Sequence, residues 1–88
     1  MSRTFYSAFG NEVRVKLLLC LSEKAKNVTE MIATCGLAQS AVSQHLLKLK
    51  AAGLVTTKKE GKEVTYALKS KKIVEVCQLL IALKKEET

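Results

Sequence analysis

The segment from Asn27 to Leu54 constrains the fold most, because it holds two helical patterns separated by a single glycine. Asn27 can cap a first helix, with Glu30 three residues later at the spacing of a capping box. Gly36 supplies the left-handed position that commonly ends a helix. After it, apolar residues fall on one face of a helical wheel, at Ala38, Val42, Leu46, Leu49 and Gly53. The segment is therefore predicted to be a helix-turn-helix over about residues 28–52.

The other face of the second helix has the composition of a DNA-reading surface. It is made of small or polar residues and contains no acid, with Ser40, Ser43, Gln44, Leu47, Lys48 and Ala51 along it. Serine and glutamine read base edges in the major groove, and lysine meets phosphate. An ordinary solvated face is the alternative interpretation, and the helix alone does not decide between the two.

Beyond Gly53 the pattern changes from helical to alternating, which predicts two strands over residues 54–58 and 63–69. Gly61 lies in the connection, where a hairpin needs it. A basic hairpin directly after a recognition helix indicates a wing, over about residues 54–69. Lys58, Lys59 and Lys62 are placed to bind phosphate, although each of them is equally consistent with a solubilising hairpin tip.

The last predicted helix, residues 71–85 with Ser70 as its cap, is apolar around most of its circumference. Only Glu75 and Gln78 are polar between Ile73 and Leu83, so one core cannot cover it. The simplest cover is the same helix of a second copy, joined by the aromatic segment 3–9 in a two-fold dimer. The predicted interface residues are Phe5, Tyr6, Phe9, Ile73, Val76, Cys77, Leu80, Ile81 and Leu83. Such a homodimer would place two recognition helices about one DNA turn apart, on a palindromic site.

A core helix from Asn11 to about Ser22 completes the pattern. One of its faces carries Val13, Leu17, Cys20 and Leu21 and is widened by Val15, Leu18 and Leu19. The fold class predicted is mostly α with a small β-hairpin, a winged helix-turn-helix in the order α-α-α-α-β-β-α. A chain of 88 residues is the size of one domain, so residues 1–88 are taken as a single unit.

The charge distribution favours nucleic acid as the partner. Fifteen basic residues against eight acidic ones give a net charge of +7, and residues 48–72 alone hold eight lysines and two glutamates. Such a local excess indicates a polyanion. A membrane surface is disfavoured because no basic face is paired with bulky aromatics and there is no Trp. With no apolar signal segment near Met1, we expect a cytoplasmic protein.

Three stretches together resemble the ArsR/SmtB-type winged helix-turn-helix repressors of prokaryotes: FGNEVRVKLLLCL, NVTEMIATCGLAQSAVSQHLLKLKAAGLV and KKEGKEVTYALKS. The string QSAVSQHL is the most specific part. The resemblance implies double-stranded DNA as partner, with Gln39, Ser40, Ser43 and Gln44 reading bases or positioning phosphates. His45 belongs to the same string, but a packing role is favoured for it over DNA contact. Ala38 stands where the family commonly has a capping serine, which should cost the helix start about 1 kcal/mol.

The resemblance also raises the question of a sensor. Metal-sensing members use cysteines or histidines at positions where this chain has none, so neither a metal site nor a cofactor is expected. Cys20 matches one cysteine of a dithiol in the oxidant-sensing branch, whose second cysteine would fall near Lys84. Cys77 lies about two turns earlier, roughly 12 Å along the axis. Cys20 and Cys77 are thus a possible redox pair, against the default that all three thiols are buried small apolar groups. No inducer is implied.

Two functions remain at this point. The leading hypothesis is a homodimeric, sequence-specific DNA-binding repressor. The alternative is a winged-helix protein-interaction module that uses the last helix for another partner and does not read DNA. An enzyme is not expected, because a single His, no Ser-His-acid set and no cofactor fingerprint leave no catalytic constellation.

Overall fold

The computed structural model describes residues 3–86 and confirms a mostly helical fold with a small hairpin. The elements are α1 (Arg3–Ser7), α2 (Glu12–Leu21), β1 (Lys26–Asn27), α3 (Val28–Cys35), α4 (Gln39–Ala51), β2 (Val55–Glu60), β3 (Glu63–Leu68) and α5 (Lys72–Glu86). Residues 1, 2, 87 and 88, which the predicted domain includes, lie outside the described residues.

Local capping sets the helix boundaries. The Asn27 side chain accepts a hydrogen bond from the backbone N–H of Glu30 at 2.8 Å, and the Glu30 carboxylate accepts from the N–H of Asn27 at 3.0 Å. This is the predicted capping box of α3. The Asn11 side chain accepts from the N–H of Arg14 at the start of α2, without a reciprocal bond, and the Ser70 hydroxyl accepts from the N–H of Lys72 at the start of α5. Gly36 ends α3 with φ of 68°.

The strands form one antiparallel sheet in the order β1-β3-β2. In the hairpin, Val55 pairs with Leu68 and Glu60 with Glu63, so only Gly61 and Lys62 connect the two strands. The predicted loop, residues 59–62, is therefore too long by two residues. Gly61 has φ of 62°, which lets the chain reverse over two residues and lets β2 continue to Glu60.

Strand β1 was not predicted, because two residues are too few to show alternation. Lys26 lies opposite Tyr66, and Asn27 opposite Thr65, so the segment before α3 forms the third strand. The Lys26 side chain is 2% exposed, and its ammonium donates to the main-chain carbonyl of Cys20. This strand joins the hairpin to the helix-turn-helix.

A single hydrophobic core lies between α2, α3, α4 and α5. Its largest fully buried apolar side chains are Leu17, Leu18, Met31, Val42, Leu46, Leu49 and Cys77. On α2, Val13 and Cys20 are half-buried, so the inward face is centred one position away from the predicted one. At the far end of α5, the Lys84 ammonium lies 3.2 Å from the Glu12 carboxylate of α2. No helix within residues 3–86 is long and apolar enough to cross a bilayer.

Candidate nucleic-acid interface

The orientation of α4 is fixed by its apolar stripe. Val42, Leu46 and Leu49 are each no more than 2% exposed. The helix contributes this stripe to the core, so the opposite side faces solvent along its whole length. That side carries the predicted DNA-contacting residues, and all of Gln39, Ser40, Ser43, Gln44 and Lys48 are exposed. The helix therefore presents short hydrogen-bonding groups near its start and a lysine in its last turn.

The first turn of α4 is held by the backbone alone. Its N-cap residue is Ala38, in an extended conformation with φ of −69° and ψ of 144°, and no side chain caps the helix. This agrees with the expectation from the sequence. The first turn contains no acidic residue, so no carboxylate opposes an approaching phosphate there.

His45 lies at the edge of the buried side of α4. Its Nδ1 atom is 3.3 Å from Nη1 of Arg14. Because a guanidinium can only donate, Nδ1 accepts and the ring proton belongs on Nε2. Burial lowers the pKa of His45 below its ordinary value of 6.5, and the positive charges of Arg14 and Lys48 lower it further. The ring is thus neutral at neutral pH and has a structural partner, while its contact with DNA stays a prediction.

Arg14 is a buried residue that the sequence reasoning missed. It is 7% exposed, and its guanidinium reaches back to the end of α1. Nε donates to the carbonyl of Ala8 at 3.2 Å, and Nη2 donates to the carbonyl of Ser7 at 2.8 Å. One side chain on α2 therefore connects the end of α1 with the recognition helix. The signal was present, because Arg14 precedes Leu17, Leu18 and Leu21 at helical spacing on one face.

The lysines of the wing do not form one surface. Lys58 is opposite Thr65 and Lys59 is opposite Val64, so their side chains leave opposite faces of the sheet. Lys58 lies 3.6 Å from the Glu60 carboxylate, whereas within residues 3–86 neither Lys59 nor Lys62 forms an ion pair. No carboxylate therefore competes with a phosphate for the ammonium groups of Lys59 and Lys62 within the described residues, unlike that of Lys58.

The predicted dimer residues divide into two groups. Ile73 and Cys77 face the core of the chain itself, at 7% and 0% exposure, so they are not available to a partner. Leu80 and Ile81 are half-buried against that core. By contrast, the outer face of α5 exposes large apolar side chains, and Leu79, at 66%, belongs to it although it was not predicted. We call Val76, Leu79 and Leu83 the outer stripe of α5.

The aromatic residues of the N-terminal segment lie next to this stripe. Phe5 and Tyr6 are exposed, and their rings pack edge to face at a centroid distance of 5.2 Å. Phe9 lies 5.9 Å from Phe5 and is half-buried. Together with Ile73 and Val76, these rings line an open cavity of about 550 Å³ between α1 and α5. A second apolar surface is thus continuous with the outer stripe.

The structure corrects the predicted cysteine pairing. Cys20 forms a disulfide with Cys35, with Cα atoms 6.2 Å apart, and Cys77 is a free buried thiol. Burial raises the pKa of Cys77, which favours the protonated thiol over the reactive thiolate. The sequence offered Cys77 only as an alternative partner for Cys20, and it did not show that α3 packs beside α2 and brings Cys35 to Cys20. The default expectation of a buried apolar thiol holds for Cys77 alone. Within the described residues, no three His, Cys, Asp or Glu side chains are grouped so that they could hold a metal ion.

Comparisons with known proteins agree with this arrangement. The family model described as bacterial regulatory protein, arsR family, matches residues 11–57. The transcriptional activator HlyU of Vibrio cholerae is 40% identical over 83% of this chain and 68% of that protein. The HTH-type transcriptional repressor SmtB of Mycobacterium tuberculosis is 43% identical over 69% of this chain, but only 45% of that protein is covered.

Solved structures give the same result. The crystal structure of NolR from Sinorhizobium fredii superposes with a TM-score of 0.78 at 32% identity, covering 91% of this chain and 80% of that one. The matched family segment contains α2, the helix-turn-helix and the start of the wing. The chain therefore belongs to the arsR family of bacterial regulatory proteins, which are DNA-binding transcriptional regulators with a winged helix-turn-helix fold.

Proposed function

We propose that residues 1–88 act as one domain of a homodimeric transcriptional repressor that binds a palindromic operator in double-stranded DNA. The observation that carries this proposal is the polar, acid-free face of α4, which is exposed from end to end while the apolar face is buried. A helix presented in this way fits the major groove. The regulator acts in the cytoplasm, where a prokaryotic chromosome lies, and needs neither a cofactor nor catalysis.

The proposed DNA contacts are of two kinds, base recognition and phosphate binding. Gln39, Ser40, Ser43 and Gln44 lie in the first two turns of α4 and read base edges, because the N-terminal residues of a recognition helix enter the groove. Lys48, Lys59 and Lys62, with Lys58 weakened by Glu60, bind phosphates and supply the salt-dependent share of affinity. His45 contributes to the orientation of α4 through its contact with Arg14.

The apolar surface that the single chain leaves uncovered supports the proposed dimerisation. Three apolar side chains of the outer stripe are 40% to 66% exposed, and the exposed rings of Phe5 and Tyr6 lie beside them. Large contiguous apolar surfaces on small proteins mark interaction sites. A second copy of the same surface satisfies both subunits at once through a two-fold axis. Such a dimer would repress transcription if its operator overlaps a promoter.

The test selects bound sites from a random pool of DNA duplexes with the full chain and then measures affinity for the selected duplex at several salt concentrations. The expected result is an enriched inverted repeat, at least about a thousandfold preference over random duplex, and a steep loss of affinity with salt. Sedimentation should give the mass of two chains. Weak, sequence-independent retention by a protein that still dimerises would favour an interaction module over a repressor.

A further inference from the structure

We propose that Cys20 and Cys35 form a reversible dithiol site that a hydroperoxide oxidises, and that the disulfide form binds the operator more tightly than the dithiol form. The effect on operator binding rests on the proposed function, whereas the site itself does not. The two cysteines belong to different helices, in the last turn of α2 and at the last residue of α3.

The surroundings of the pair suit both oxidation states. The Cα separation of 6.2 Å is within the usual range for a disulfide, so no helix has to move for the bond to form. Both residues are half-buried, so a small oxidant can reach them, unlike Cys77. The Thr34 hydroxyl lies 3.6 Å from one sulfur and 3.7 Å from the other. It donates to the carbonyl of Glu30, which leaves its oxygen free to accept from a thiol after reduction.

A buried cation lies beside Cys20. The ammonium of Lys26 donates to the main-chain carbonyl of Cys20, and no carboxylate within the described residues pairs with it. A nearby cation stabilises a thiolate, which is the form of cysteine that attacks peroxides. Because this charge is held at the main chain of Cys20, we take Cys20 as the sulfur that reacts first and Cys35 as the one that completes the disulfide.

The chemistry balances with one hydroperoxide. The Cys20 thiolate attacks the terminal peroxide oxygen, the O–O bond breaks, and the alcohol leaves with a proton, giving a sulfenic acid. The Cys35 sulfur then attacks the Cys20 sulfur and displaces the hydroxyl as water. In sum, two thiols and one hydroperoxide give one disulfide, one alcohol and one water. A dithiol reductant reverses the step by thiol–disulfide exchange and is itself oxidised to a disulfide.

The position of the bond explains why it acts as a switch. In the reducing compartments where such regulators meet DNA, lasting disulfides are rare, and those that form are mostly catalytic or redox-sensing. Cys35 is followed by a three-residue connection, Gly36 to Ala38, and then by the recognition helix, which has no side-chain cap. The disulfide holds the start of this connection against α2. With this restraint the start of α4 loses less conformational freedom when it binds DNA. The entropic cost of binding is then lower, so the operator complex is favoured.

The experiment uses the full chain with its selected operator, after treatment with hydrogen peroxide or with a dithiol reductant. Trypsin without reduction should release residues 17–24 linked to residues 27–48, while Cys77 stays free in residues 73–84. Operator affinity should be about three- to tenfold higher after peroxide, and reductant should reverse the change. Cys35→Ser should hold the low affinity under both treatments. Cys77→Ala is the matched control and should keep the full response.

The outcomes separate the two proposals. A link from either peptide to residues 73–84, or between two chains only, overturns the site. The linked peptides with equal operator affinity in both states overturn the switch but leave the repressor intact. If neither state selects an operator, the proposed function fails, and the effect on operator binding fails with it, while the linked peptides alone still establish the dithiol site.

Discussion

Arg14 occupies the point where three helices meet, and nearly all of its polar atoms are used there. It is buried on α2, donates to two carbonyls at the end of α1, and supplies the partner of His45 on α4. The carbonyls at the end of a short helix carry partial negative charge, so a guanidinium suits them. The side chain thus acts as a C-terminal cap for α1 and as a support for the recognition helix.

Replacing Arg14 should therefore reduce stability more than replacing an exposed cation of the same helix. Arg14→Met leaves two main-chain carbonyls without their donor, and hydrogen bonds from charged groups contribute roughly 1.5 to 3 kcal/mol. We expect the free energy of unfolding, measured with urea, to fall by about 2 to 3 kcal/mol. Lys16→Met, whose ion pair with Glu12 is exposed, should change it by less than about 0.5 kcal/mol. Equal losses in the two variants would remove the special role of Arg14.

The single histidine gives a pH dependence that can be assigned without ambiguity. The pKa of His45 is lowered in the folded chain, so the unfolded chain binds the proton more readily. The stabilisation is complete above the unfolded pKa, near 6.5, and is lost as pH falls through that value toward the folded pKa. An NMR titration of the ring should give a pKa below 6.5. His45→Asn should flatten the stability profile between neutral pH and the range where carboxylates titrate, and an unchanged profile would contradict the assignment.

At the scale of elements, the predictions that held depend on residues close together in the chain. The caps Asn11, Asn27 and Ser70 and the glycine end of α3 were readable because cap and partner lie two or three residues apart. The features that were missed depend on residues far apart in the chain. Lys26 becomes part of a strand only because Tyr66 lies opposite it, and Cys35 meets Cys20 only because α3 packs beside α2.

The uncapped start of α4 offers a stabilising substitution. Ala38 is exposed and already has the extended backbone of an N-cap residue. Ala38→Ser should thus stabilise the chain by about 1 kcal/mol, because its hydroxyl can accept from a free N–H of the first turn. The free energy of unfolding measures this. Ala51→Ser, at the exposed end of the same helix, should give no gain, and a gain of the same size there would point to a cause other than capping.

The helix and the wing should differ in what they contribute to binding. Gln44→Ala should reduce the discrimination between the selected operator and single-base variants by about 1 to 3 kcal/mol. Lys59→Ala should weaken all duplexes alike and lower the dependence of affinity on salt by about one phosphate contact. Binding assays with a panel of duplexes at several salt concentrations measure both. If both substitutions change base discrimination and salt dependence in the same way, the division between base recognition by α4 and phosphate binding by the wing is wrong.

At the scale of the whole molecule, the main prediction concerned surface that a single chain cannot cover. The excess of apolar residues on α5 was visible in the sequence, but the exact face was not. Composition gives the amount of apolar surface, whereas the direction of the core fixes which side remains outside. Ile73 and Cys77 are buried in the core of the chain itself, whereas Leu79 is exposed to solvent. A helical wheel without the core direction could not separate these residues.

The proposed dimer can be broken at this face. Leu79→Glu places a charge in an interface that contains each position twice, so the cost counts for both subunits. Full burial of one leucine contributes about 1.5 to 3 kcal/mol, and we expect the dissociation constant of the dimer to rise at least about a hundredfold. Sedimentation equilibrium measures it. Gln78→Glu adds the same charge one residue away and should leave the dimer unchanged. Persistence of the Leu79→Glu dimer at its original affinity would place the interface elsewhere.

Strand β1 has a mechanical consequence for how the protein meets a bent duplex. Asn27 pairs with Thr65 of the wing and at the same time caps α3, so one residue belongs to both units. The middle of β3 is consequently tied to the start of α3. If the wing tip contacts phosphates as proposed, we expect a shift of those phosphates to displace α3 and, through the short turn, α4 as well. Operators that bend differently should therefore be distinguished even where their contacted bases are identical.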